Sequence, residues 1–420
     1  MMNPEVDQVI SRVEQSLQKY FVISLSVQEI KDGQRNFKRI CILTLFQFIR
    51  LLVILHSSIA AFVDDKSPWH FYVLNYYLGF GIFGRFFAGM YLFAFVLFFS
   101  HGLIFSFFEW KAKLVPLTDL REMFSRLKNP SQEEVKQFTF FLRIVPYMPW
   151  IALFMASLPL GSLNVVAAVV TGFRFHGMMF VLYCSPLLAI FTVILYFNGL
   201  VWVFVHIIIA QSTMYFKIRL NRVENKMNEF SDQSNRIHKN GSRRPISIDD
   251  VVLDLQETLD ELEQHNLLIK HFLRNELYGT ACCFVTIFVF VLEDNPWYLR
   301  VIMLVTLIMS GSIIAVSFIN AAQLYIRILN MAKPLHSCQC IAAQNQRLEL
   351  IPTAPSTSQG IRLSMVSDLL VLKSKFQVLR MIQRVSSPHL MIGYTVGNGE
   401  SFSDDTAVAY VTSLETHSCS

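Results

Sequence analysis

Six long apolar runs dominate this chain, and the segments between them are alternately rich and poor in lysine and arginine. The runs are residues 40–63, 71–108, 138–160, 178–210, 272–292 and 298–322. An α-helix needs about 20 apolar residues to cross the hydrocarbon layer, so each run is long enough to span a bilayer. Within lipid every backbone polar group must be satisfied by its own segment, which selects helices here. A seventh, weaker stretch, 389–414, is interrupted by the polar residues 397–405. Charged residues make up 16% of the chain and apolar residues 53%, where a soluble domain carries about 25% charged residues. The expected fold class is therefore an all-α polytopic membrane protein with seven transmembrane helices.

The charges orient it. The segment before the first run carries Arg12, Lys19, Lys31, Arg35, Lys38 and Arg39. Lys66 alone precedes the second run, whereas Lys111, Lys113, Arg121, Arg126, Lys128 and Lys136 follow it. Arg174 is isolated between the third and fourth runs, and Arg300 between the fifth and sixth. Basic residues cluster again after the fourth run (Lys217 to Lys270) and after the sixth (Arg327 to Arg384). Positively charged segments stay in the cytoplasm. This puts the N-terminus and three long loops inside, the short loops outside, and the C-terminus outside if the last stretch spans. Dividing 71–108 into two spans would move six basic residues outside, so one long helix is expected there. No leader with a short apolar core and a small-residue cleavage site is visible, so the first span is expected to act as its own insertion signal.

The resulting organisation is a cytoplasmic N-terminal segment (1–39), helices one to four (40–210), cytosolic extensions (211–271), helices five and six (272–322), a cytosolic loop and amphipathic helix (323–388), the weak seventh helix (389–414) and an extracellular tail (415–420). Residues 211–230 contain neither Pro nor Gly and should prolong the fourth helix, ending at a polar break over 231–247. Ser247, Asp249 and Asp250 suit a helix start. Val252, Leu255, Leu259 and Leu262 then repeat with 3-4-3 spacing and form one apolar stripe. Such a stripe must be buried, which implies a cytosolic anchor bundle. Met365, Leu369, Leu372, Phe376, Leu379 and Ile382 repeat similarly.

Enzymatic chemistry has no visible basis. Phosphate-cradling glycine loops, HExxH and nucleophile elbows are absent. Most of the seven cysteines lie in apolar runs or cytosolic segments, and Cys338-x-Cys340 lacks a matching pair for zinc. No cofactor, metal or nucleic acid is expected. Ionisable residues within the runs are Arg50, Arg85, Arg143, His101 and His206, and such residues are functional-site hypotheses by default.

The inside N-terminus, short outer loops and long inner extensions resemble the arthropod gustatory and odorant receptor superfamily. The orientation is opposite to that of G-protein-coupled receptors. The sharper resemblance is C-terminal: 372–384 is similar to the family's amphipathic inner helix, Gly393-Tyr394 to its glycine-aromatic pair, and Tyr410 to the tyrosine of its terminal Thr-Tyr motif. Ala409 replaces the threonine, the closing Gln-Phe is missing, and Asp404 and Asp405 are acidic where the family is more apolar. The resemblance is thus to a divergent or gustatory-receptor-like member. It implies a ligand-gated cation channel of the plasma membrane, assembled as a homo- or hetero-tetramer of related subunits and opened by a small organic ligand. Tyr76, Tyr77, Phe80, Arg85, Phe154 and Tyr183 would form the ligand site, and Asp404, Asp405, Thr406, Tyr410 and Ser413 would line the pore. A non-conducting membrane signalling or scaffold protein, and a small-solute transporter, are the alternatives.

Overall fold

The computed structural model describes residues 4–19, 37–63, 67, 69–80, 84–85, 88–89, 92, 95–96, 99–100, 102–104, 107, 119–236, 248–292, 297–335, 337–338 and 381. Among these the regular structure is helical, with no strand. The helices are α1 (Pro4–Lys19), α2 (Phe37–Phe62), α3 (Trp69–Tyr72), α4 (Leu120–Ser125), α5 (Gln132–Phe140), α6 (Met148–Ala152), α7 (Leu158–Thr171), α8 (Met178–Arg236), α9 (Ile248–Leu292) and α10 (Trp297–Asn330). The chain divides into two compact units: Met1–Ser212 with His271–Ile319, and Thr213–Lys270 with Asn320–Ser420.

In the first unit, α7 and α8 form a hairpin. A π-turn, Gly172–His176, ends α7, and Gly177 reverses the chain at φ +76°, a conformation open to glycine because it has no Cβ. Two stretches, Leu158–His176 and Met178–Asp232, are long and apolar enough to cross a membrane, judged by length and composition. The faces of α2 and α8 that carry Leu45, Phe48, Leu52, Leu55, Leu182, Ile190 and Val193 are exposed. The opposite faces pack into a core of Val53, Ala60, Phe95, Leu163, Ala167, Phe180, Leu188, Phe191 and Leu195, with Tyr76 and Tyr77.

Three features differ from the sequence reading. The third apolar run does not close at Leu160. Its helix continues to His176, because Ala167, Ala168 and Thr171 are buried against their neighbours rather than left in an outer loop. The second run is not one continuous helix. After α3, residues 73–77 turn, Leu74 takes φ +53°, and Leu78–Phe80 is a short 3-10 turn, while the described residues between 84 and 107 are helical. Third, the N-terminal segment contains a docked helix. In α1, Val6, Ile10, Val13 and Leu17 are buried and pack against α4, α5 and the 3-10 helix Leu142–Tyr147. Arg121 is gripped from α1 by Asp7, by Ser11 at 3.0 Å and by Glu14 at 3.3 Å, and Arg143 pairs with Glu5 at 3.0 Å.

The second unit is a helical bundle of the C-terminal part of α8, the start of α9 and the end of α10. Phe216, Leu220, Val223, Met227 and Phe230 of α8 are buried with 4-3-4-3 spacing. Ile248, Val252, Leu255, Leu259 and Leu262 of α9 repeat it, the heptad-like pattern that keeps one seam facing a partner. Leu324, Ile328, Leu335 and Cys338 are buried beside them. α8 runs through Ser231 to Arg236, beyond the break expected from polarity, since 231–236 holds no Pro or Gly to stop it.

Candidate functional site

Segment 73–80, a run of turns ending in the 3-10 turn Leu78–Phe80, lies in the apolar unit; the N–H groups of Val73, Leu74, Asn75 and Phe80 bond carbonyls three to five residues back, and the rest of a helix's ladder is missing. Neighbouring side chains take the place of that ladder. His56 of α2 bonds the Val73 carbonyl at 2.8 Å. Thr171 of α7 donates its hydroxyl to the Tyr76 carbonyl at 2.5 Å and accepts the Gly79 N–H at 2.8 Å. Arg174 donates to the Gly79 carbonyl at 2.8 Å. Asn75 donates to the Ala60 carbonyl at 3.2 Å, and its Oδ1 accepts the Tyr77 N–H at 3.1 Å. Irregular backbone buried from solvent persists where protein groups satisfy it in this way.

This scaffold sets two tyrosines side by side in the core. Their ring centroids are 4.4 Å apart, and they are 0% and 1% exposed. Tyr77 donates its hydroxyl to Asn164 Oδ1 at 3.1 Å and lies 3.3 Å from the Tyr76 hydroxyl. Asn164 is 1% exposed, and its Nδ2 has no partner. His56 stacks on Tyr76 at 6.1 Å, and Phe191 meets Tyr76 edge-on at 6.1 Å. The result is an aromatic nest with hydroxyl and amide groups at its centre and the two N–H donors of Asn164 Nδ2 to spare.

Comparison with known proteins identifies no relative. No family model, curated protein or solved structure matches this chain.

The six residues expected to bind ligand are dispersed. Tyr76 and Tyr77 are at the centre of the nest, and Phe80 is half-buried at its margin. Arg85, Phe154 and Tyr183 are exposed. Phe154 stands within a π-turn, stacked on Trp150 at 6.2 Å, and Tyr183 meets Phe71 at 6.2 Å. Asp404, Asp405, Thr406, Tyr410 and Ser413 lie outside the described residues. Sequence reasoning did not select Asn164, Thr171 and His56. An Asn and a Thr seven residues apart in an otherwise apolar helix are the signal that could have found two of them, since that spacing returns to one helix face.

In the second unit the chemistry is structural. Tyr215 donates to Glu261 at 3.0 and 3.1 Å, and Arg219 reaches Glu261 at 3.3 Å and the Tyr215 hydroxyl at 3.0 Å. Burial pushes the Tyr215 phenol above its ordinary range, with Arg219 working against it. Lys226 pairs with Asp254 and Arg327 with Glu224 at 2.8 Å, both half-exposed. No group of three or more potential metal ligands occurs among the described residues.

Proposed function

We propose that this protein is a gustatory-type chemosensory receptor, a ligand-gated, non-selective cation channel that crosses the plasma membrane seven times. The observation that carries the reading is the Tyr77–Asn164 bond inside an aromatic nest, with the Asn164 Nδ2 donors left without an acceptor. Organic-ligand sites have this make-up: mostly apolar and aromatic walls with a few polar groups that fix orientation. A ligand carbonyl or hydroxyl oxygen would accept from Asn164 Nδ2 while its body packs on the tyrosine rings. Reorienting Tyr77 would pull on segment 73–80, whose backbone is tied to α2 and α7 by His56, Thr171 and Arg174. The alternation of basic loops supports an inside N-terminus and outside segments at Lys66, Arg174 and Arg300. The resemblance to the arthropod receptors supplies the channel activity, the tetramer of like or related subunits, and the pore role of 404–413. Carboxylate rings from Asp404 and Asp405 would favour cations.

The test is electrophysiological. Cells expressing the chain are perfused with a panel of small organic compounds, and inward cation current is recorded. Asn164→Leu and Tyr77→Phe should raise the half-maximal ligand concentration by about tenfold, the worth of one buried hydrogen bond. External cysteine labelling should reach positions beside Lys66 and spare those beside Lys128. Surface-delivered protein that passes no ligand-evoked current, alone or with related subunits, would refute the channel reading.

A further inference from the structure

Arg50 sits near the middle of α2 and is 6% exposed, yet its Nε has no hydrogen-bond partner. It makes no ion pair within the described residues. Runs 40–63, 71–108, 138–210 and 298–322 contain no Asp or Glu, and Glu276 is the acidic residue of 272–292. A guanidinium stays charged under all ordinary conditions. An uncompensated charge in a protein interior costs several kcal/mol, so a counter-charge must be found.

Two donors converge beside this charge. Arg50 Nη1 and Gln47 Nε2 each lie 2.4 Å from the point that a Cβ on residue 102 would occupy, so the notch exists because that residue is glycine. Gln47 Oε1 is also without a partner. The Phe46–Phe197 contact at 4.7 Å and the His56–Phe191 contact at 5.8 Å set α2 antiparallel to α8. On that register Asn198, next to Phe197, stands within about one helical turn of Gln47 along α2. Asn198 is 1% exposed, and neither its Oδ1 nor its Nδ2 is bonded.

We propose that Arg50, Gln47 and Asn198 form a site for a small monovalent inorganic anion, a halide under cellular conditions. The guanidinium supplies the charge and the two amides supply neutral N–H donors. Gly102 leaves room for the donors to approach one another. A single small ion suits two donors that stand this close together at Gly102. The site is separate from the Tyr77–Asn164 nest and does not depend on channel activity.

The experiment uses the full-length chain reconstituted in nanodiscs of neutral phospholipid. Sodium gluconate is replaced stepwise by sodium chloride or bromide at constant ionic strength, and thermal unfolding is followed. The wild type should gain stability saturably with halide. Gln47→Leu should weaken the apparent halide affinity by about tenfold, the worth of a hydrogen bond to a charged partner. Arg50→Met should abolish the response. Gly102→Ala, which pushes both donors aside, should weaken it even if Arg50→Met fails to fold. Glu276→Gln should leave it unchanged. A wild type indifferent to halide would overturn the site, as would variants at Gln47 and Gly102 that respond like wild type. A halide response that appears or strengthens in Glu276→Gln would assign the counter-charge to the protein and overturn it equally.

Discussion

Replacing Glu261 with alanine should be among the most damaging single changes in the second unit. Its side chain is 9% exposed, and its carboxylate receives both the Tyr215 hydroxyl and the Arg219 guanidinium, itself 13% exposed. Removing the carboxylate strands a buried cation. Breaking a buried pair from one side costs about 3–5 kcal/mol, whereas an exposed pair is worth about 0.2–1 kcal/mol. Glu224, paired with Arg327 at side-chain exposures of 40% and 37%, is the internal control. Thermal unfolding of purified protein should therefore fall several-fold further for Glu261→Ala than for Glu224→Ala. The double variant Glu261→Met with Arg219→Met removes both charges and fills the space with apolar groups, so it should recover most of the loss. Equal shifts for the two alanine variants, or a double variant worse than Glu261→Ala, would refute the view that desolvated charge dominates this core.

A methyl group at Gly79 would lie 2.7 Å from the Thr171 backbone nitrogen, and one at Gly89 would meet nothing within 4 Å. Gly79→Ala should thus lower the unfolding temperature and surface delivery, with an overpacking cost of about 1–3 kcal/mol, while Gly89→Ala should be neutral in the same assays. Burial pushes the Cys338 thiol up to about 11, so maleimide should label it in the native protein at pH 8 about a hundredfold more slowly than after denaturation. The Tyr215 phenol is raised by burial, so the folded state holds its proton where the unfolded chain, near pH 10, releases it. That stability is complete below about pH 10 and is lost as pH rises further, and Tyr215→Phe should flatten the alkaline limb of the unfolding profile.

The elements most legible in the sequence were those whose determinants are local. The 3-4-3 stripe of Val252, Leu255, Leu259 and Leu262 declares its buried face on its own, and an unbroken 211–230 declares a continuing helix. The stripe of α1 was equally local. Val6, Ile10, Val13 and Leu17 carry the same period, but they are set among charged residues that give the segment a polar composition. Those charges are in part the grip on Arg121. Segment 73–80 was not legible, because what holds it open is remote: Thr171 is 95 residues from the Tyr76 carbonyl it bonds. Of the candidate site, the two tyrosines could be picked out as aromatic residues near an expected outer surface. Their partner Asn164 is 87 residues away from Tyr77 and gains meaning only through the fold.

The interleaving of the second unit with long apolar helices has a consequence for biosynthesis. The Tyr215–Glu261 contact joins residues 46 apart, but Glu224 waits for Arg327, 103 residues later, and Met227 for Cys338, 111 residues later. At a translation rate of about 5–20 residues per second, the face of α8 that receives α10 stays uncovered for about 5–20 s. During that interval the ribosome is also delivering residues 272–292 and 298–322, so closure of this bundle reports that both of those stretches have been made. A nascent chain stalled before Arg327 would present Met227 and its neighbours as an open apolar seam, the kind of surface that chaperones and quality-control proteases read.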